Sequence, residues 1–295
     1  MISAFVVLNK PSGMSSASAV ARVKRILSGK GIEISKIGHF GTLDPDAEGV
    51  LPVALNRATR LFDHLGLKTK VYYAEFVFGV ETDTLDASGI VTQKDARVPR
   101  AEELICAAGE LTGDVMQLPP KYSAKSVDGK RAYERARAGE DFILKPSKVH
   151  IDDISLIEKL DDGAFSFRIT AGGGTYVRSI ARDLAYKCGT CAHMRLLRRE
   201  KSGCFAAADA VTLDELDASS EPERFFVSTE EALSEYPAYE MIGDEESARL
   251  IFNGVNLRLK DMPDGKVFRF YVFGELAGLA EKDSDGRFHW VVRLI

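Results

Sequence analysis

The chain has 295 residues, of which 45% are hydrophobic and 28% charged, the balance of an ordinary globular protein. That composition excludes disordered, collagen-like and disulfide-dense classes, and this length can bury a core without metal or disulfide staples. The net charge of −5 hides an asymmetry, because residues 209–246 hold 13 acidic residues and one Arg, leaving +7 for the rest.

In chain order, residues 5–8 read as a short strand. This early apolar run is too short for a signal peptide or a membrane span, so the expectation is a soluble, cytoplasmic protein. Lys10-Pro11-Ser12-Gly13 is a turn. Ser15 or Ser16 caps a helix with Val20, Val23 and Leu27 on one face. Residues 38–49 read as a long loop around Asp44-Pro45, and 71–78 as a β-branched and aromatic strand. A polar, turn-like stretch covers 81–89, and a helix 101–111. Residues 118–139 look like an exposed loop passing into a short helix. Phe165, Phe167 and Ile169 alternate with polar residues as in a half-buried strand. After Gly172-Gly173-Gly174 a helix carries Val177, Ile180, Ala181 and Leu184 at helical spacing. Beyond Phe205 the chain is acidic and partly helical. Strands at 267–273, 276–280 and 288–294 form a small β-rich unit from about Tyr239. Strands and helices without regular βαβ alternation indicate an α+β fold.

Two basic runs stand out: 117–145 has seven Lys/Arg against four Asp/Glu, and 178–201 has seven against two. Local basic surface, not net charge, binds phosphate. A single run of this kind is more often a solvated helix face. Cys188 and Cys191 have C-x-x-C spacing, but no second close pair of ligands accompanies them and they follow a helix. That points away from zinc or redox work. No P-loop or H-E-x-x-H motif occurs, so neither cofactor nor metal is expected.

Three blocks could carry chemistry. G-H-F-G-T-L-D-P at 38–45 can shape a sharp loop holding polar residues, although Asp-Pro alone reads as a turn. Lys70-Val71-Tyr72-Tyr73 offers tyrosines that either pack in a sheet or stack on a base. G-T-Y-V-R at 174–178 ends in Arg178, off the apolar stripe. It is a surface Arg unless a carboxylate pairs with it.

With these blocks in this order, the sequence resembles the TruB family of pseudouridine synthases, which act on uridine 55 of tRNA. The supporting motifs are K-P-S-G-M-S-S at 10–16, the 38–45 signature, Tyr72 to Gly79, T-D-T-L-D-A-S-G at 82–89, P-P-K-Y-S-A at 119–124 and G-K-R-A-Y-E-R-A-R at 129–137. G-T-Y-V-R at 174–178, A-H-M-R-L-L-R-R at 192–199 and Gly203-x-Phe205 complete the set. The match covers about 5–206. The resemblance implies an α+β fold: a mixed, largely antiparallel catalytic domain over 1–236, with an RNA-binding thumb-like insert at about 117–145. A PUA-like RNA-binding domain over 237–295 would follow, with Leu250-x-x-x-Gly254 as one of its marks. Asp44 would be the nucleophile and Arg178 its partner. Tyr72 would stack on the uracil and help remove the C5 proton. Tyr176 and Leu197 would line the pocket, and His39 would support the loop. Both basic runs would hold phosphates.

The sequence departs from the family pattern at Phe40, Asp46 and Glu48, which stand where T, L and T are usual. A family lysine falls on Ser126. The two added carboxylates should alter the field at Asp44. The partner expected is the tRNA T-arm, with no membrane, no obligate protein partner and a monomeric state. Two other readings stay open at this point: a dyskerin-like, guide-RNA-dependent subunit, and a non-catalytic tRNA-binding chaperone.

Overall fold

The computed structural model describes residues 2–65, 69–123, 125–127, 129–160, 163–241, 245–253, 255, 262–263 and 265–295. Among these residues a ten-stranded sheet forms the centre of the molecule. Its main path runs Phe226–Ser228, Ala4–Lys10, Glu48–Leu55, Ala192–Ser202, Lys70–Phe78, Ala164–Ala171, Ser147–Lys159 and Gly113–Gln117. Neighbours on this path are antiparallel except Glu48–Leu55 with Ala192–Ser202, a short parallel contact at Arg198↔Glu48 and Arg199↔Gly49. The α+β expectation is met.

One face of the sheet is covered by the helices Ser16–Gly29, Ala101–Glu110 and Val177–Lys187. Val20, Val23, Leu27, Leu104, Ile180 and Leu184 pack there with Phe76 and Phe167. The first helix starts at its expected cap: Ser15 Oγ accepts from the Ser18 amide at 3.1 Å, satisfying one of the orphan donors of the first turn. The Ala164–Ala171 strand is more deeply placed than its alternation indicates. Ser166, expected to face solvent, is fully buried; this short side chain stands between the longer Glu75 and Glu158 of the two neighbouring strands.

The expected 38–49 loop is shorter than predicted. Its ends are strands, Ile37–His39 and Glu48–Leu55, paired antiparallel with each other. Glycines and acidic residues hid them from the sequence, while Glu48–Leu55, which holds Ile37–His39, is itself paired by the remote segments Ala4–Lys10 and Ala192–Ser202.

A second sheet of four strands, Ala238–Glu240, Phe268–Val272, Glu275–Lys282 and Phe288–Arg293, forms the β-rich C-terminal part. Phe270, Phe288 and Ile251 fill its own core. Its other face joins the back of the central sheet, where Leu279, Val292 and Leu294 pack with Phe5, Val7 and Phe40. Arg57 and Arg60 donate to the carbonyls of Leu294 and Arg293 at 3.0 and 2.7 Å. Leu250 lies on the helix Glu245–Phe252, whereas Gly254 falls outside the described residues. Among the described residues no helix is long and apolar enough to cross a membrane.

Candidate active site

The loop between Ile37–His39 and Glu48–Leu55 presents Asp44, and the N-terminal motif clamps that loop from below. Lys10 is fully buried and its ammonium donates to the carbonyls of Pro11, Met14 and Pro45 at 2.8, 2.6 and 3.0 Å. Three donors meet three acceptors, so the cation is satisfied without a direct ion pair. Burial lowers its pKa to about 8 against the pull of Asp46, Asp44 and Glu48. Ser16 Oγ donates to the Leu43 carbonyl at 2.8 Å and accepts from the Leu43 amide at 2.9 Å. The K-P-x-G-x-x-S segment thus fixes the backbone on both sides of Asp44.

Arg178 stands at the start of the helix Val177–Lys187 and is 5% exposed. Its Nε and Nη2 grip the Asp44 carboxylate at 2.9 and 3.0 Å. Nη1 reaches Asp86 at 3.3 Å and donates to the Thr84 carbonyl at 2.9 Å. Nη2 also donates to the Tyr122 carbonyl at 3.0 Å. Three hydrogen bonds, to Thr84, Asp44 and Tyr122, and two ion-pair contacts, to Asp44 and Asp86, hold the guanidinium and with it the carboxylate. Leu85, between Thr84 and Asp86, has φ 60°, a strained conformation for a branched residue. It belongs to the tight turn that aims both neighbours at Arg178.

Enclosure by protein pushes the Asp44 pKa up; Arg178 opposes this, while Asp86 and then Asp46 push it further up. The side chain still keeps 37% of its surface, because it opens into a cleft of about 210 Å³ lined by Asp44, Asp46, Asp86, Met194, Arg195 and Leu197. The sequence expectation about the added carboxylates holds for Asp46 but not for Glu48. The Glu48 carboxylate is tied to Arg198 Nε at 2.6 Å. Phe40 has no part in the cleft; it is buried in the core behind the sheet, with its ring edge-on to Phe5 and Phe62.

Tyr72 lies on the same face of the sheet as Leu43 and Leu197 and is 7% exposed. Arg199 is its partner on the neighbouring strand, and the phenol and guanidinium interact. Tyr176 precedes Arg178 and is held by Gln117, whose Oε1 accepts from the Tyr176 amide at 2.8 Å and whose Nε2 donates to its carbonyl at 3.2 Å. Burial raises the Tyr176 hydroxyl pKa. His39 ends the strand Ile37–His39 opposite Val53. Its Nδ1 is buried without a hydrogen-bond partner among the described residues, and burial with Arg199 lowers its pKa. The site therefore brings Asp44, Arg178 and Leu197 together at the cleft, with Tyr72 on the same sheet face. Tyr176 borders the Arg178 end, and His39 stands beside Arg199.

The basic run at 178–201 is only partly surface: Lys187, Arg195, Arg198 and Lys201 are exposed. Arg178, Arg182 and Arg199 are buried, Arg195 is paired with Glu75 at 2.8 Å and Arg198 with Glu48. Counting charges could not reveal that three of these seven cations face inward. The insert differs: Lys121, Lys130, Arg131, Arg137 and Lys145 are exposed around the hairpin Ser126–Val127 and Lys130–Arg131. Burial holds the Cys188 and Cys191 thiols above the usual range.

Comparison with known proteins gives this geometry its family. The N-terminal domain model of the TruB family pseudouridylate synthases matches residues 24–177, and the tRNA pseudouridylate synthase B C-terminal domain matches 178–235. The chain belongs to the TruB family. TruB proteins are isomerases, and this chain is one. It is 40% identical over 263 residues to tRNA pseudouridine synthase B of Bacillus cytotoxicus, covering 86% of this chain and 83% of that one. The corresponding protein of Geobacillus thermodenitrificans is 39% identical over 264 residues, covering 86% and 85%. Among solved structures, a chain of a Cbf5-Nop10-Gar1 complex superposes with a TM-score of 0.73 at 23% identity, covering 99% of this chain and 85% of that one. A chain of an H/ACA RNP bound to a substrate RNA gives 0.72 at 21%, with the same coverage. At these identities the likeness is one of fold.

Asp86, Lys10 and Arg199 were not singled out as site residues in the sequence. All three lie inside quoted motifs, so the signal was present, but their roles depend on contacts between segments far apart in the chain.

Proposed function

We propose that the chain isomerises uridine 55 in the T-loop of tRNA to pseudouridine, with Asp44 as nucleophile and no cofactor. The observation that carries this reading is the carboxylate held by a buried arginine at the floor of an open cleft. The arginine favours the ionised form of the carboxylate against the effect of burial and fixes its direction. The target base first leaves its stack, at a cost of a few kcal/mol offset by pocket contacts. Asp44 then permits cleavage of the C1′–N1 bond, either by adding to C1′ or by drawing off the C2′ proton toward a glycal. The freed uracil turns and rejoins C1′ through C5. Loss of the C5 proton restores the ring, with Tyr72 the group to receive it. Leu197 and Tyr176 supply apolar walls, and His39 supports the loop.

The exposed cations of the insert would grip the T-arm backbone, and the acidic segment would face away from the RNA. In this reading residues 1–236 form the catalytic domain and 237–295 a PUA-like RNA-binding domain. The protein acts as a cytoplasmic monomer without a guide RNA. The curated relatives are named for tRNA, which favours tRNA over a guide-dependent role. Tritium release from a tRNA transcript labelled at uridine C5 tests the reading. Wild type should release label from uridine 55 without partners, while Asp44→Asn should fold, bind tRNA and release none. Turnover by that variant would remove Asp44 from the nucleophile role.

A further inference from the structure

Among the described residues Arg199 is one of the largest fully buried side chains, at 1% exposure, and it forms no ion pair with a carboxylate. An unpaired buried cation is costly to keep. Its neighbours are themselves basic: burial together with Arg199 lowers the pKa of Lys70 to about 8 and depresses that of His39. The guanidinium nevertheless has a defined set of partners. Nε donates to the Val50 carbonyl at 2.7 Å and Nη2 to the Gly41 carbonyl at 2.9 Å. Tyr72 stands directly opposite on the neighbouring strand, and its phenol interacts with the guanidinium. Gly41 and Val50 lie on either side of Asp44 in the chain, so one side chain closes both ends of the catalytic loop and reaches Tyr72.

The surrounding backbone is shaped to admit this group. Arg199 pairs across the sheet with Tyr72 on one side and Gly49 on the other. A Cβ on Gly49 would overlap the Arg199 carbonyl, and one on Gly41 would lie 3.3 Å from Arg199 Nη1. Two glycines of the catalytic loop, both at positive φ, therefore make room for one arginine.

We propose that Arg199 is a positioning residue for the proton-transfer step, holding the Tyr72 oxygen in place and stabilising the negative charge that develops on it. This rests on the role given to Tyr72 above. Once C5 is joined to C1′, C5 carries both hydrogen and ribose. The Tyr72 oxygen takes that hydrogen as a proton while the phenolic proton passes to water. The C5–H electron pair closes the C5–C6 double bond, and the C6–N1 pair moves onto N1, which takes up a proton from water. A fixed cation on the phenol oxygen favours this transfer and adds nothing to binding of the base, so it acts on turnover.

The test is single-turnover kinetics on tRNA carrying protium or deuterium at C5 of uridine 55, with wild type, Arg199→Lys, Tyr72→Phe and the double variant. A lysine keeps the charge but cannot fork to two carbonyls and a phenol. Arg199→Lys should slow turnover by about 10²-fold, within the range of general acid–base effects, leave tRNA affinity unchanged and raise the C5 deuterium isotope effect. The double variant should be no slower than Tyr72→Phe alone, since both remove one function. Arg199→Gln serves the same cycle if the lysine variant does not fold. Equal slowing by the Arg199 change in the presence and absence of the Tyr72 hydroxyl would overturn the proposal while leaving the Tyr72 role intact. An unimpaired Tyr72→Phe would overturn both.

Discussion

At the scale of single residues, the site is governed by competition over one guanidinium. Arg178 serves two carboxylates, Asp44 bidentately and Asp86 at 3.3 Å. Enclosure raises the Asp44 pKa, and the Asp86 charge raises it further. In the proposed mechanism Asp44 acts ionised, so the acid limb of the turnover profile should lie above the ordinary Asp value of ~3.9. Asp86→Asn removes the like charge and leaves Arg178 to Asp44, which lowers the Asp44 pKa and moves the acid limb to lower pH. Asparagine retains an Oδ1 that can accept from Thr84 Oγ1 and Ser88 Oγ, the bonds of 2.7 and 2.6 Å that shape this turn. A pH–rate profile of the variant that is unmoved, or moved to higher pH, would show that Asp86 acts only through structure. Asp44, Tyr72 and Arg178 were legible because each stands in a distinctive motif. Asp86 stands in a motif too, but nothing within T-D-T-L-D-A-S-G separates a turn-forming carboxylate from one aimed at an arginine 92 positions further on.

At the scale of elements, the catalytic loop is a product of sheet register. Gly49 has φ 102° and lies against the Arg199 backbone at the parallel contact between Glu48–Leu55 and Ala192–Ser202. That contact spans two residue pairs, so it tolerates little displacement. Gly49→Ala should separate the strands at this point, destabilising the protein by about 3 kcal/mol through overpacking and the left-handed backbone. Urea denaturation checks the stability change. Activity measured well below the midpoint should also fall, because the same contact carries Arg199. Residues 38–49 were read as loop for a related reason. Glycine is written for loops and for close strand approach alike, and only the partner strand tells them apart. The helices fared better, since Ser15, Val20, Val23 and Leu27 carry their cap and apolar stripe locally. The inward-facing arginines of 178–201 were misread because charge count does not report direction.

At the scale of the whole molecule, the β-rich C-terminal part is attached by more than a linker. Leu279, Val292 and Leu294 share a core with Phe5, Val7 and Phe40, and Phe40 is four residues from Asp44. Arg57 and Arg60 seal the seam by binding the last strand's end at 3.0 and 2.7 Å. An independently folded appendage would melt in its own transition and could be weakened without effect on the rest. A shared core predicts one cooperative transition. Leu279 is fully buried, so Leu279→Ala should cost about 2–5 kcal/mol and lower the melting temperature of the entire protein by roughly 5–10 °C. Calorimetry distinguishes the cases. A single endotherm that shifts as a whole supports the shared core, whereas a second, smaller endotherm that alone shifts would make the C-terminal sheet a separate unit. Phe40 provides the link to function: it stands where the family usually has threonine, and its ring anchors the start of the catalytic loop in the core that Leu279 helps to fill. Loosening that core in Leu279→Ala should therefore reduce turnover at temperatures just below the transition, before tRNA binding by the exposed insert is lost.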